Sequence, residues 1–293
     1  MDRFHGTGVA IVTPFQPDGQ VDYTGLGKLV NYLIDGGVQY LVSLGTTGEN
    51  ATLTATEKQK IWEYTAEANA GRVNLVAGIA GNNTREVAEQ IKQFDVKGYD
   101  AILSASPAYN KPTQEGIYQH YKALAEASAL PILLYNVPSR TGSNISAETT
   151  VRLANDFKNI IGTKEASGNF DQLNQIYRDK PEGFLVISGD DPITLPMIAL
   201  GGVGVISVVA NAVPKQFSNM VRLCLDGDFA SAQKEHSKFI DFTRLMFSEG
   251  SPGGIKTALK QLDVCGDTLR LPLVQVSDAT ANKIASELEK ILK

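Results

Sequence analysis

Short apolar runs alternate with longer helical patterns along this chain, and that alternation is what most restricts its fold. Eight runs recur at similar spacing up to residue 209. The runs are continuously apolar rather than alternating in polarity, which is typical of parallel strands buried on both faces. They lie at 8–12, 40–44, 73–77, 101–104, 131–135, 160–163, 184–188 and 203–209.

Helical patterns fill the gaps between these runs. One apolar stripe has the i, i+3, i+4, i+7 spacing of a helix and consists of Leu26, Leu29, Val30 and Leu33. Thr54 and Glu57 have the spacing of a capping box, and Asp191 before Pro192 predicts a further N-cap. The alternation favours a (β/α)8 barrel over a doubly wound sheet, because no glycine fingerprint follows the first run.

After residue 213 the pattern is only helical, with candidate helices at 216–225, 230–247, 254–262 and 278–292. No repeat or low-complexity linker separates this part from the rest. We therefore expect a catalytic barrel over residues 1–213, with a C-terminal helical region over residues 214–293 packed on it.

Composition narrows the class of partner. The chain is 43% hydrophobic with a net charge of -5 and no basic block, which argues against nucleic acid or an anionic membrane as the main partner. The two cysteines, Cys224 and Cys265, lie in apolar or helix-like surroundings and are predicted to be buried thiols. Neither a signal peptide nor an apolar stretch of about 18 residues is present, so we expect a cytoplasmic protein.

Lys164 is the residue that points most directly to chemistry, because it follows the sixth apolar run. Active sites of (β/α)8 barrels form at the carboxyl ends of the strands. A partly desolvated lysine loses its proton more easily and becomes a nucleophile toward carbonyl groups. The alternative is a solvated lysine at the rim, paired with a carboxylate.

Two other strand ends, those of the fifth and second runs, carry candidate residues. Tyr135 ends the fifth run, so it should lie beside Lys164 and exchange protons with substrate, unless it is simply a core tyrosine. Thr46 and Thr47, between two glycines, offer hydroxyl and N–H donors to a carboxylate, or else form an ordinary turn. Arg140 suits a bidentate carboxylate clamp, although a surface arginine in a turn is the alternative.

Other reaction classes have less support. The three histidines lie away from strand ends and lack a second ligand at metal-site spacing, which also argues against a serine triad. Asp190 and Asp191 could attract a cation, but helix capping before Pro192 is favoured. Carbonyl chemistry through a lysine imine, without a metal or cofactor, is the interpretation that remains.

The segments 45–49, 135–142 and 162–168 resemble the class I, pyruvate-dependent lyases and synthases, a family that includes N-acetylneuraminate lyase. The resemblance covers essentially the whole chain. It is strongest to members that condense pyruvate with L-aspartate-4-semialdehyde to 4-hydroxy-tetrahydrodipicolinate, in lysine and diaminopimelate biosynthesis. It implies a TIM barrel, no cofactor, and a homotetramer built as a dimer of dimers.

The resemblance also implies a role for each site residue. Lys164 would form a Schiff base with pyruvate, and Tyr135 would shuttle protons through Thr46 and through Tyr109 of the adjacent subunit. Thr47 would hold the pyruvate carboxylate and Arg140 the carboxylate of the second substrate. Two further positions, Gly189 and Ile206, match residues that line the pyruvate pocket.

Two alternatives stay open at this point. N-acetylneuraminate lyase and keto-deoxy sugar-acid aldolases or dehydratases share the lysine and tyrosine, but Arg140 and the Thr46-Thr47 pair argue against a polyol substrate. A non-catalytic pyruvate-binding sensor would be expected to have a damaged relay or clamp, whereas those residues are intact.

Regulation is a separate expectation. Family members inhibited by lysine carry a tyrosine just before the relay tyrosine and histidines near the start of the second helix. Here those positions hold Ala108, Ala55 and Lys58, although Asn82 and Glu86 match. The sequence therefore predicts weak or absent inhibition by L-lysine.

Overall fold

A closed barrel of eight parallel strands forms the centre of the computed structural model, which describes residues 2–293. Each strand pairs with the next along the chain, and the eighth pairs with the first. The strands are β1 Gly6–Ala10, β2 Tyr40–Ser43, β3 Asn74–Gly78, β4 Ala101–Ala105, β5 Ile132–Asn136, β6 Ile160–Glu165, β7 Leu185–Ser188 and β8 Gly204–Ser207.

Helices lie between the strands and continue after the last one. Those between strands are α1 Tyr23–Asp35, α2 Ala55–Asn69, α3 Thr84–Gln93, α4 Gln114–Ala127, α5 Pro138–Thr141, α6 Ala147–Asp156, α7 Phe170–Asp179 and α8 Thr194–Ala199. Those after the barrel are α9 Pro214–Leu225, α10 Phe229–Ser248, α11 Gly253–Gln261 and α12 Asp278–Leu292. The predicted (β/α)8 fold is confirmed.

The predicted strands are present with shifted ends. The first run was expected at 8–12, but β1 is Gly6–Ala10. The last run was expected to reach 209, but β8 ends at Ser207. It ends there because Val208 adopts a right-handed helical backbone and leads into a short 3₁₀ turn.

Both faces of the barrel strands are buried, as their continuous apolar runs predict. The barrel interior is a cluster that includes Tyr40, Leu133, Tyr135, Ile187 and Ile206. Gly8 belongs to this packing, because a Cβ at that position would lie 2.1 Å from the Tyr40 ring. The outer faces pack against the helices in a second, larger cluster that contains the Leu26, Leu29, Val30 and Leu33 stripe of α1.

Local capping interactions mark where helices begin, as at the start of α2. The Thr54 side chain accepts from the N–H of Glu57 while the Glu57 side chain accepts from the N–H of Thr54, so the predicted capping box is formed.

The two thiols differ in exposure, since Cys224 is buried and Cys265 is half-buried. Within residues 2–293 we find no helix with the length and apolar character needed to cross a membrane.

Candidate active site

A cavity of about 310 Å³ lies at the carboxyl ends of the strands. Six of the residues predicted from the sequence line it: Thr46, Thr47, Tyr135, Arg140, Lys164 and Gly189. They come from four separate strand ends, so the barrel's closure brings them together.

Lys164 and Tyr135 form the centre of this cavity. They are direct partners in the register between β5 and β6, which places their side chains side by side. The Lys164 Nζ lies 4.2 Å from the centroid of the Tyr135 ring. Lys164 is only 5% exposed and Tyr135 only 7%, so the amine and the phenol share a largely water-excluded position.

Gly189, at the end of β7, leaves the space that Lys164 occupies. A Cβ at this position would lie 3.0 Å from both Cγ and Cε of Lys164, and 2.8 Å from the Cβ of Ala166. Any larger residue would push the lysine side chain out of its present path.

The turn after β2, which we call the Thr46–Glu49 turn, is held from several directions. Residues Thr46–Gly48 form a single 3₁₀ turn, closed by a bond from the N–H of Glu49 to the carbonyl of Thr46 at 3.1 Å. The Thr13 hydroxyl donates to the carbonyl of Gly48 at 2.6 Å. The Thr47 side chain is buried and that of Thr46 is exposed, and both border the cavity.

Arg140 reaches the cavity from α5, the short helix that follows β5. A proline at the first position begins this helix, and Gly142 ends it in the left-handed conformation. Arg140 is exposed at the mouth, so its guanidinium is available to a carboxylate from solution.

Two acidic residues follow β7, and both border the cavity, but they have different partners. Asp190 lines the cavity, and burial raises its carboxyl pKa while the charge of Lys164 opposes that rise. Asp191 was predicted to cap its own helix, and that prediction is wrong. Its Oδ2 accepts instead from the N–H groups of Val208 and Val209, at 3.0 and 3.1 Å, and so caps the turn after β8.

Two predicted residues lie outside the lining of this cavity. Ile206 is 1% exposed and packs in the barrel interior with Tyr135 and Ile187. Tyr109 is 92% exposed and has a backbone φ of 67°, so in this single chain its ring projects into solvent.

One lining residue had no signal in the sequence. Phe247, near the end of α10, borders the cavity although it lies more than 80 residues after Lys164 in the chain.

In the part of the chain that is described, no three His, Cys, Asp or Glu side chains come together as metal ligands. What the cavity offers is an amine beside a phenol, with cationic and hydroxyl groups around them, an arrangement suited to imine chemistry on a carboxylated carbonyl compound.

Comparisons with known proteins show the family that the chain matches. Residues 3–291 match the Dihydrodipicolinate synthetase family. A 4-hydroxy-tetrahydrodipicolinate synthase of Flavobacterium psychrophilum is 53% identical over 284 residues, covering 97% of each chain. A crystal structure of DHDPS from Cyanidioschyzon merolae with lysine bound is 36% identical, covers 98% of each chain and has a TM-score of 0.94. A monomeric dihydrodipicolinate synthase variant is 38% identical, covers 99% of this chain and 97% of its own, and has a TM-score of 0.96.

Proposed function

The chain belongs to the Dihydrodipicolinate synthetase family, and from this premise we propose that it condenses pyruvate with L-aspartate-4-semialdehyde to 4-hydroxy-tetrahydrodipicolinate. The reaction is a step of lysine and diaminopimelate biosynthesis. The observation that carries the proposal is the Lys164 amine, buried in the cavity and 4.2 Å from the centroid of the Tyr135 ring. We also propose a cytoplasmic location, because both substrates are soluble metabolites.

The reaction begins at Lys164. Its neutral amine attacks the ketone carbon of pyruvate, and loss of water leaves an imine. A proton leaves the pyruvate methyl group and gives an enamine. Tyr135 lies beside this centre and is our candidate for moving that proton, with Thr46 as the next group of the relay.

The enamine carbon then attacks the aldehyde carbon of the second substrate, and the new alkoxide takes up a proton. The amino group of that substrate attacks the imine carbon, which closes the ring. The bond to Lys164 breaks in the same exchange and frees the amine for another turnover. No redox partner is needed, because imine formation with loss of water, C–C bond formation, exchange of the imine nitrogen and the proton transfers together leave no net oxidation or reduction.

Binding groups surround the reacting pair. Thr47 and its backbone in the Thr46–Glu49 turn are the proposed site for the pyruvate carboxylate, since hydroxyl and N–H donors suit that group. Arg140 is the proposed clamp for the carboxylate of L-aspartate-4-semialdehyde. Gly189 leaves space for the Lys164 side chain, and Ile206 belongs to the same barrel-interior cluster as Tyr135.

Borohydride trapping tests this proposal. Pyruvate and borohydride should leave a reduced adduct on the peptide that contains Lys164, and Lys164→Ala should give none. Tyr135→Phe should keep the fold and lose turnover by about 10²- to 10⁴-fold, because only a proton-transferring hydroxyl is removed. Absence of the adduct in the wild-type protein would reject the imine mechanism.

A substrate comparison separates the sister activities. The same preparation should consume L-aspartate-4-semialdehyde and leave N-acetylneuraminate unchanged, because Arg140 offers a carboxylate clamp where a polyol would need hydroxyl partners. An adduct with turnover of neither compound would instead indicate a pyruvate-binding sensor.

We propose in addition that Tyr109 enters the cavity of a neighbouring subunit in a homotetramer built from two dimers. The ring is 92% exposed, and Leu271 and Val274 are also exposed, at 79% and 65%. Large apolar side chains in such positions are typical of a surface covered by a partner. Since a related chain is a monomeric variant, family membership alone leaves the assembly open.

A further inference from the structure

The C-terminal helices approach the active site from behind the Thr46–Glu49 turn. We propose that they position this turn through a buried ion pair between Glu49 and Lys256. This inference rests on the proposed function, in which the turn binds the pyruvate carboxylate. It gives the helical region after the barrel a role in substrate binding.

The pair is fully enclosed. Lys256, in α11, places its Nζ 2.5 Å from Oε1 of Glu49, and both side chains are 0% exposed. The same Nζ donates to the carbonyl of Thr268 at 2.8 Å and lies 4.2 Å from the centroid of the Phe15 ring. The ammonium is therefore fixed by a carboxylate, a carbonyl and an aromatic face.

The second oxygen of Glu49 is also bound from the C-terminal region. The N–H of Arg270 donates to Oε2 at 3.2 Å. The Arg270 guanidinium binds both oxygens of Glu57, at 2.5 and 3.0 Å, and donates to the carbonyl of Thr52 at 2.9 Å. The segment after α11 is thus attached to the turn at Glu49 and to the chain that follows it.

The backbone of Glu49 explains why such an anchor is needed. Its φ of 53° and ψ of 35° are left-handed, a conformation that L-residues with a side chain adopt at a cost. Its N–H closes the turn on the carbonyl of Thr46, and it lies two residues after Thr47. Holding the carboxylate from behind therefore fixes the direction in which the threonines face the cavity.

Stability alone is a poor reason for burying two charges. An ion pair removed from water gains little net free energy, and apolar replacements of similar volume are often as stable. A fixed geometry is the property that a fully buried ion pair supplies, so we assign Glu49 and Lys256 as positioning residues.

Four variants test the assignment, each assayed for pyruvate KM, kcat at saturating pyruvate, and melting temperature. Glu49→Gln and Lys256→Met should each raise the pyruvate KM about tenfold, the loss expected from a charge-assisted contact. The KM for L-aspartate-4-semialdehyde should change much less, because Arg140 lies in α5 and not in this turn. A fall in kcat is expected beside the rise in pyruvate KM, because Thr46 of the proposed relay lies in the same turn. The double variant removes both charges together, so it should recover melting temperature without recovering the pyruvate KM.

Lys260→Met is the matched control. Lys260 lies one turn further along α11, and its exposed side chain pairs with Asp267 at 3.0 Å rather than with Glu49. Its pyruvate KM should stay at the wild-type value. A folded double variant with wild-type pyruvate KM would overturn the inference, and so would an equal rise in the Lys260→Met control. Failure of the proposed function is distinguishable, because the wild-type protein would then form no borohydride adduct.

Discussion

Asn136 and Glu165 lie directly after the reacting residues on the same two strands. Side chains alternate along a strand, so these two point away from the barrel interior while Tyr135 and Lys164 point into it. The Asn136 amide donates to both oxygens of Glu165, at 3.1 and 3.0 Å, and its own oxygen accepts from the N–H of Ile145 at 2.9 Å. These hydrogen bonds, on the outer side of β5 and β6, therefore help to hold the two strands in the register that places Tyr135 beside Lys164.

Exchanging the Asn136 amide and the Glu165 carboxylate tests this role. Asn136→Asp would place two carboxylates together and should lower both kcat and the free energy of unfolding, by about 1–3 kcal/mol for the latter. Adding Glu165→Gln restores one amide and one carboxylate, with their positions reversed, and should recover much of both losses. Urea unfolding and steady-state kinetics measure the outcome. If the double variant has the same kcat and free energy of unfolding as Asn136→Asp, these hydrogen bonds do not hold the register.

His120 gives the fold a pH dependence that is independent of the active site. It is 3% exposed in α4, with Nδ1 2.8 Å from the Thr84 hydroxyl, and burial lowers its pKa to about 4. Between that value and the ordinary one near 6.5, the unfolded chain binds more protons than the folded chain. This contribution to stability is complete above pH 6.5 and falls as the pH drops toward 4.

The loss should reach about 3 kcal/mol across that range, from the size of the shift. His120→Gln removes the titrating group and should flatten the fall in unfolding free energy between pH 6.5 and 4. Urea unfolding at several pH values measures the slope in both proteins. Equal slopes would show that His120 does not produce the dependence.

At the scale of elements, the eight strands and the place of Lys164 were predictable because local patterns specify them. A continuous apolar run identifies a strand buried on both faces, and the barrel then fixes which ends meet. Asp191 was assigned wrongly because its partners belong to the turn after β8, and Lys256 and Phe247 were missed because they lie in distant helices. Contacts between elements far apart in the chain leave no local pattern to read.

The prediction that L-lysine inhibits weakly or not at all concerns the surface between α2 and α3. A pocket of about 730 Å³ there is lined by Ala55, Lys58 and Glu86 among others. Nearby, the side-chain oxygen of Asn82 already accepts from the N–H of Ala108, at 2.8 Å. A cation at Lys58 repels the ammonium groups of L-lysine, so inhibition should be weak or absent.

Lys58→Ala should strengthen inhibition by L-lysine, since it removes the repelling charge. Lys60→Ala is the matched control, because Lys60 is an exposed lysine on the same helix and is not part of the pocket lining. Initial rates over a series of L-lysine concentrations give the inhibition constants. A constant in the low micromolar range for the unaltered protein would contradict the prediction.

For the whole molecule, the central question is which chain supplies the tyrosine of the relay. Tyr109 projects into solvent, although Ala108 beside it is bonded to Asn82 and the N–H of Tyr109 donates to the carbonyl of Thr141 at 3.1 Å. Its backbone is thus held while its ring is free. A ring presented in this way is placed to enter a cavity of a second copy.

Mixed dimers decide the matter. Lys164→Ala has no imine lysine, and Tyr109→Phe has no relay hydroxyl, so each variant alone should be nearly inactive. When subunits are mixed, a dimer of one Lys164→Ala and one Tyr109→Phe chain regains a complete cavity, with Lys164 from one chain and Tyr109 from the other. Half of randomly mixed dimers have this composition and one of their two sites is complete, so activity should recover to about a quarter of wild type. If Tyr109 serves its own chain, no mixed site is complete, and the mixture should stay as inactive as its parents.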